Sequence, residues 1–425
     1  MLWLIYEILF FLGVLLTGPY YLLRMRRRGG YARNFGERFG RYSEEARARI
    51  AALSRPVWVH AVSVGEVQLA LPLIDQLRQR YPDQSFLLTT TTSTGYVLAK
   101  EWEDERIAVV YYPMDSRFFF SKIHQLTRPR ALLLMEAELW PNHLLYCKRR
   151  GIPLALVNAR MSDRSYPRYL KLKPLFSRVL AAFSLITLQS EVDRERLLRL
   201  GARAGSLRVI GSLKYAAARA VDDEKRERLL GDLDFLQRRP VLVGASTHAG
   251  EEELLLEAWK ELRHGRPELA LVLAPRHVER KCEIVEMLQQ HGVEFSCRSN
   301  PEAAHVVLLD TTGDLRYVYE LASVVFIGKS LCGVGGQNLM EPAWYGKAIV
   351  FGPNMQNFRP IVEDFLQSEA AVQIDSAENL IPVLSDLLNG AGEAYGLRAK
   401  ELVDSKQDVM ERTVSAIDDM LADQS

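Results

Sequence analysis

The chain has 425 residues, with 54 basic and 53 acidic side chains and a formal net charge of +1. A hydrophobic content of 48%, with only 18 Pro and 27 Gly, excludes a disordered chain, and the charge balance excludes a generally basic nucleic-acid binder. The four cysteines (Cys147, Cys282, Cys297 and Cys332) are too few and too widely spaced for a disulfide scaffold or a CxxC zinc or redox pattern.

Residues 2–23, LWLIYEILFFLGVLLTGPYYLL, hold a single charge, Glu7. That is long enough to cross about 30 Å of hydrocarbon. Arg24, Arg26, Arg27 and Arg28 follow at once, and residues 24–49 contain nine Arg against three acids, a local excess of +6. A cleaved signal peptide would carry its cations before the apolar stretch and end in small residues, and a core helix needs fewer apolar positions. The pattern fits a signal anchor whose basic collar, and everything after it, stays on the cytoplasmic side. Gly18-Pro19 and Glu7 also fit a helix lying in one leaflet. In either case the collar suits the headgroups of anionic inner-membrane phospholipid or a phosphorylated lipid substrate.

From Pro56, short β-rich runs alternate with amphipathic helical stretches, which predicts parallel sheets covered by helices. The expected strands are 57–61, 86–90, 108–112, 131–135, 154–158, 185–189 and 208–211. Segment 216–239 is polar and reads as linker and helix. The series then restarts at 241–244, 269–274, 306–309, 324–327, 348–351 and 371–374. The chain therefore divides into an anchor and collar (1–28), a Rossmann-like domain (29–215), the linker (216–239), a second Rossmann-like domain (240–400) and a C-terminal helix (401–425). In such folds ligands bind outside the carboxyl ends of the strands, and a cleft between the two domains is expected.

The polar residues follow that rule. Ser63-Val-Gly-Glu66 comes after the first strand and opens a helix, where Glu66 suits either a helix cap or a general base. Met135-Glu-Ala-Glu-Leu-Trp-Pro-Asn142 puts Glu136 and Glu138 at the end of the fourth strand, and their spacing does not choose between them. Asn158-Ala-Arg160 and Gly211-Ser-Leu-Lys214 follow two later strands; Lys214 falls at the hinge, where it can face the cleft, whereas Asn158 and Arg160 fit solvated loop positions equally well. In the second half, Ser246-Thr-His-Ala-Gly-Glu251 offers donors to an anion and equally fits an ordinary helix-capping pattern. Pro275-Arg276-His277 supplies a planar, bidentate donor. The Gly-rich run Gly328–Pro342 predicts a loop whose N–H groups surround a phosphate, with Glu341 one turn after Asn338 and suited to a ribose. Gly328-Lys-Ser330 lacks the spacing of a Walker A loop, and eight His without HExxH spacing argue against a catalytic metal.

Taken in order, these seven motifs resemble the 3-deoxy-D-manno-octulosonic acid (Kdo) transferases of lipopolysaccharide inner-core synthesis, over the chain from its N-terminus to about residue 360. The resemblance implies a GT-B glycosyltransferase, inverting and metal-independent, that moves Kdo from CMP-Kdo to lipid IVA (tetraacyldisaccharide 4'-phosphate) without a cofactor. It implies Glu66 as proton acceptor, and Glu136 and Lys214 as transition-state stabilisers, with Glu138 as the second choice. CMP is then held by Pro275 and Arg276, by Thr312, Gly313 and Asp314, and by Gln337, Asn338, Leu339, Met340 and Glu341. Three positions depart from the common pattern: Lys329 and Gln337 stand where many relatives have Gly and His, and Asp314 where Glu is usual. Gln337 carries no positive charge, so Lys329 is a candidate to supply it. Two alternatives are a GT-B enzyme using a nucleotide diphosphate sugar and a binding protein without turnover.

Overall fold

The computed structural model describes residues 6–7, 10–18, 20, 34–163, 165–216 and 222–422. The expected collar at 24–28 lies outside them, as do parts of the expected anchor and residues 217–221 of the expected linker. Residues 10–18 are helical. Among the described residues no helix is long and apolar enough to cross a membrane.

The chain folds into two units, Met1–Ala218 with Asp408–Ser425, and Arg219–Gln407. Each is built on a seven-stranded sheet. The first contains β1 (Val57–His60), β2 (Phe86–Thr90), β3 (Ile107–Tyr111), β4 (Ala131–Met135), β5 (Leu154–Ala159), β6 (Leu185–Leu188) and β7 (Leu207–Val209). Their spatial order is β3-β2-β1-β4-β5-β6-β7, and every pairing is parallel. Strands covered by helices on both faces need apolar side chains in both directions, hence unbroken hydrophobic runs such as Ala131–Met135, which is buried throughout. Alternate side chains feed two cores. Val57 and Val59 pack with the helix Val64–Arg80, whereas Trp58 packs with the helices Arg117–Thr127 and Pro141–Arg149.

The second sheet contains β8 (Val241–Thr247), β9 (Ala270–Pro275), β10 (Phe295–Cys297), β11 (Val306–Leu308), β12 (Val324–Ile327), β13 (Ala348–Phe351) and β14 (Val372–Gln373). Its order is β10-β11-β9-β8-β12-β13-β14, again parallel. The edge strand β10 has no counterpart among the expected strands. Its sequence, Phe-Ser-Cys, is short and lacks β-branched residues, so pairing with β11 defines it rather than propensity. β8 runs three residues beyond the expected Gly244, because Ser246 takes a left-handed conformation (φ 54°) that shifts the register against β9 and lets the strand continue.

The C-terminus also departs from a simple series. The helix Gly392–Ser405 stays with the second unit, while Val409–Ala422 returns to the first. There Val409, Val414, Ile417, Met420 and Leu421 join the core formed by β1, β4 and the helix Val64–Arg80.

Strand order reverses between β1 and β4 in the first sheet, and between β8 and β12 in the second. At such a point the loops leaving the two strands diverge to opposite faces, opening a crevice at the carboxyl edge. One crevice is therefore flanked by residues 61–66 and 136–140, the other by residues 246–250 and 328–338.

Candidate active site

In the first unit, Ser63 is the N-cap residue of the helix Val64–Arg80, and Glu66 occupies its third position. The Glu66 carboxylate folds back to accept hydrogen bonds from the Val62 amide (2.9 Å) and the Ser63 hydroxyl (3.2 Å). This is a variant of the capping box, in which the glutamate satisfies the amide before the cap. Burial, reinforced by the charges of Glu136 and Glu138 and opposed by the Val62 amide, raises its pKa to about 7. A capping carboxylate is usually lowered by its helix. The crevice reverses that sign and leaves a carboxylate able to exchange a proton near neutrality.

Glu136 follows β4 with φ 56°, and Asn158 lies at the end of β5 with φ 59°. Left-handed backbone costs a non-glycine residue energy, and here it recurs at two neighbouring strand ends. The turn directs Glu136 to Arg160, whose Nε donates to it at 3.0 Å. Glu138 is pushed up by burial. The Lys214 amine is pulled below its ordinary range by burial; the charge of Glu136 opposes this and that of Arg160 adds to it. The structure thus gathers Glu66, Glu136, Glu138, Arg160 and Lys214 within electrostatic reach along one edge of the first sheet.

In the second unit, two more left-handed non-glycine residues, Ser246 and Lys329 (φ 57°), sit at the ends of the central strands β8 and β12. Gly328 lies so close to Ser246 that a Cβ there would overlap its carbonyl. Between the two segments lies the buried carboxylate of Glu251. One oxygen accepts from the amides of Ser330 (2.9 Å), Leu331 (3.0 Å) and Cys332 (3.3 Å), the other from Lys329 (2.7 Å) and His248 (2.9 Å). This corrects one stretch of the expected phosphate cradle Gly328–Pro342: the amides of 329–332 are spent on an internal carboxylate, which fixes the loop. Farther along, Asn338 Oδ1 accepts from the Met340 amide (3.1 Å) and its Nδ2 donates to Glu341 (3.0 Å). Burial raises Glu341, while Asn338 and the charges of Arg316 and Arg276 pull it back, so Arg276 and Glu341 share one neighbourhood. Pro275 ends β9 and Arg276 is exposed beyond it, its amide bonded to the Thr247 carbonyl at 3.0 Å.

Thr312 and Gly313 are exposed after β11, and Gly313 is left-handed at φ 86°. Asp314 behind them is buried and held by Thr311 Oγ1 (2.7 Å), Lys225 (2.9 Å) and Arg298 (3.4 Å). These partners hold it below the usual carboxylate range against the effect of burial. Its carboxylate anchors the 311–314 loop. Leu339 and Met340 are buried, and Gln337 is partly exposed on the Gly335–Gly336 turn.

Two further groups lie outside the motifs that the sequence singles out. Asn34 and Gly40, both left-handed, bracket a turn carrying Glu37 and Arg38. Glu37 is buried, accepts from the Tyr111 amide (2.8 Å) and is raised to about 7, chiefly by burial. Arg38 lies 4.1 Å from the Tyr111 ring centroid and donates to the Thr91 carbonyl. The Glu-Arg pair between two aromatics and two glycines was the available signal. The second group is a buried knot in which His143 and Cys147, one helical turn apart, face His124. The two His Nε2 atoms are 2.7 Å apart and Cys147 Sγ is 3.7 Å from His124 Nε2. Burial lowers His124 to about 3 and His143 well below its ordinary value, so both imidazoles are neutral.

Comparison with known proteins bears on both units. Residues 33–217 match the family model described as 3-deoxy-D-manno-octulosonic-acid transferase (kdotransferase). A 3-deoxy-D-manno-octulosonic acid transferase of Haemophilus influenzae is 31% identical over 399 residues, covering 91% of each chain. A bifunctional glycosyltransferase/methyltransferase of Fusobacterium nucleatum is 32% identical over 78% of this chain, which spans 52% of that longer protein. Among solved structures, the UDP-GlcNAc 2-epimerase of Neisseria meningitidis superposes with a TM-score of 0.61 at 14% identity, covering 85% of this chain and 99% of that one. At that identity the likeness concerns the two-Rossmann fold alone.

Proposed function

We propose, from the premise that this chain belongs to the 3-deoxy-D-manno-octulosonic acid (Kdo) transferase family, that it transfers Kdo from CMP-Kdo to lipid IVA at the cytoplasmic face of the inner membrane. Glu66 carries the reading. A general base works best when its pKa lies near the operating pH, and a crevice carboxylate held at about 7 meets that condition.

In this mechanism Glu66 accepts the proton of the acceptor hydroxyl as its oxygen bonds to the Kdo anomeric carbon. The bond from that carbon to the CMP phosphate oxygen breaks, and CMP departs with the electron pair. Attack opposite the leaving group inverts the anomeric centre. Glu136 and Lys214 stabilise charge around the reacting sugar, with Glu138 as the alternative carboxylate. The Arg160–Glu136 pair fixes one of these charges in place before reaction. In the second unit Arg276, Asn338 and Glu341 hold the nucleotide, and Pro275, Thr312, Gly313, Gln337, Leu339 and Met340 shape its site. The leaving group has one phosphate, so no diphosphate requires a bridging metal, and no cofactor is needed. The N-terminal segment is the membrane attachment. In support, Phe11, Leu12, Leu15, Leu16 and Tyr20 are exposed large hydrophobic residues.

Purified protein incubated with CMP-Kdo and lipid IVA should yield a glycolipid heavier by one or more Kdo units in mass spectrometry, and Glu66→Ala should abolish it. No product from the wild type overturns the reading. Full activity of the variant overturns the role of Glu66.

A further inference from the structure

Asn158 is 1% exposed and stands at the end of β5 in the left-handed region. Three of its polar atoms are engaged. Its amide donates to Thr187 Oγ1 (2.9 Å), its carbonyl accepts from Gln189 Nε2 (2.9 Å), and its side-chain Oδ1 accepts from the Leu213 amide (3.0 Å). Leu213 opens the short turn Leu213–Ala216, whose second residue is Lys214. Among the described residues, Asn158 Nδ2 is buried without a partner.

Glycine satisfies a left-handed backbone with less strain than any other residue, so backbone conformation alone does not call for asparagine. What glycine lacks is the Oδ1 that holds Leu213. The register shift between Leu156 and Ala159 brings this end of β5 to bear in two directions. Arg160 reaches back to Glu136 on one side, and Asn158 reaches across to the β7 turn on the other. Because Asn158 is buried, it meets no substrate.

We propose that Asn158 is the positioning residue for Lys214: its side chain ties the turn Leu213–Ala216 to β5 and so sets the amine against Glu136 and Arg160. This inference rests on the proposed role of Lys214. It makes Glu136, Arg160, Asn158 and Lys214 one mechanical assembly, in which two adjoining left-handed residues aim two opposite charges.

The test pairs Asn158→Gly, which keeps the backbone conformation and removes Oδ1, with Asn158→Asp, which keeps an acceptor. With CMP-Kdo and lipid IVA, Asn158→Gly should lower kcat by about ten- to a hundredfold, the scale of a misplaced catalytic group, and leave KM for CMP-Kdo unchanged. Asn158→Asp should restore most of it. In a Lys214→Ala background, Asn158→Gly should cause no further loss, whereas a merely structural role would multiply the two defects. Hydrogen exchange over residues 211–216 should quicken in Asn158→Gly. That measurement needs no turnover, so it separates failure of this inference from failure of the Kdo reading. Wild-type kcat in Asn158→Gly, a multiplied loss in the double variant, or unchanged exchange overturns the proposal. Should Asn158→Gly not fold, Asn158→Asp decides: kcat and Leu213 protection that are kept or lost together support the proposal, and near wild-type kcat with an unprotected Leu213, or low kcat with a protected one, overturns it.

Discussion

Replacing Glu66 by Gln should make the protein more stable above neutral pH while removing its activity. The Glu66 carboxyl has a pKa of about 7 in the folded chain, raised mainly by burial, against an ordinary value of 4.5. A folded state that holds its proton more tightly is favoured below the unfolded pKa and loses that advantage as pH rises through the folded one. Fully ionised, the buried carboxylate therefore destabilises the fold by about 3 kcal/mol, at 1.36 kcal/mol per pKa unit. Gln cannot ionise, but it gives up part of the bonding to Val62 and Ser63, a loss of about 1 kcal/mol. The net expectation is a gain of about 2 kcal/mol at pH 8.5 that fades towards pH 4.5, read from urea unfolding of both proteins at each pH. Activity should run the other way. The wild-type rate should climb tenfold per pH unit below about pH 7 and then level, because only the ionised base accepts the hydroxyl proton. A Glu66→Gln protein equally stable at pH 4.5 and 8.5 relative to wild type, or a wild-type rate flat from pH 5 to 8, would refute the argument.

Glu251→Ala strands five amides, so the second unit should lose about 3–5 kcal/mol and bind CMP more weakly; an unchanged melt and calorimetric titration would show the carboxylate to be dispensable. Ending the chain at Gln407 strips Val409, Val414, Ile417, Met420 and Leu421 from the first core. At about 1.5–3 kcal/mol per buried side chain, the loss rivals the whole stability of a domain, and soluble, cooperatively melting protein would contradict this. Lys329→Ala should weaken CMP-Kdo binding if Lys329 supplies the positive charge that Gln337 lacks, and equal affinity by calorimetry ends that idea.

The strands other than β10 were legible in the sequence because a parallel strand covered on both faces must be apolar along its whole length. Runs such as ALLLM at 131–135 and VVFI at 324–327 therefore mark themselves without reference to the rest of the chain. Glu66, Glu136 and Lys214 stood out for a related reason: polar residues that interrupt such runs fall at strand ends, where α/β folds bind ligands. Asn158 and Arg160 read equally well as solvated loop residues, and only the structure joins them to Leu213 and Glu136. The sequence could not choose between Glu136 and Glu138, and the structure distinguishes them by giving Arg160 to Glu136.

Contacts between distant residues decided the rest. The amides of Lys329–Cys332 look free in sequence, but Glu251, nearly eighty residues earlier, takes them. The last helix follows the second unit in the chain, yet its apolar face completes the core of the first. Glu66 shows the division within one residue. Local sequence makes it a helix-capping carboxylate, which lowers a pKa, whereas burial beside Glu136 and Glu138 raises it to about 7. Hydrophobic pattern and capping are properties of neighbours along the chain, and the sequence determines them alone. Desolvation and charge depend on which distant segments are packed against a group, and only the tertiary structure sets those.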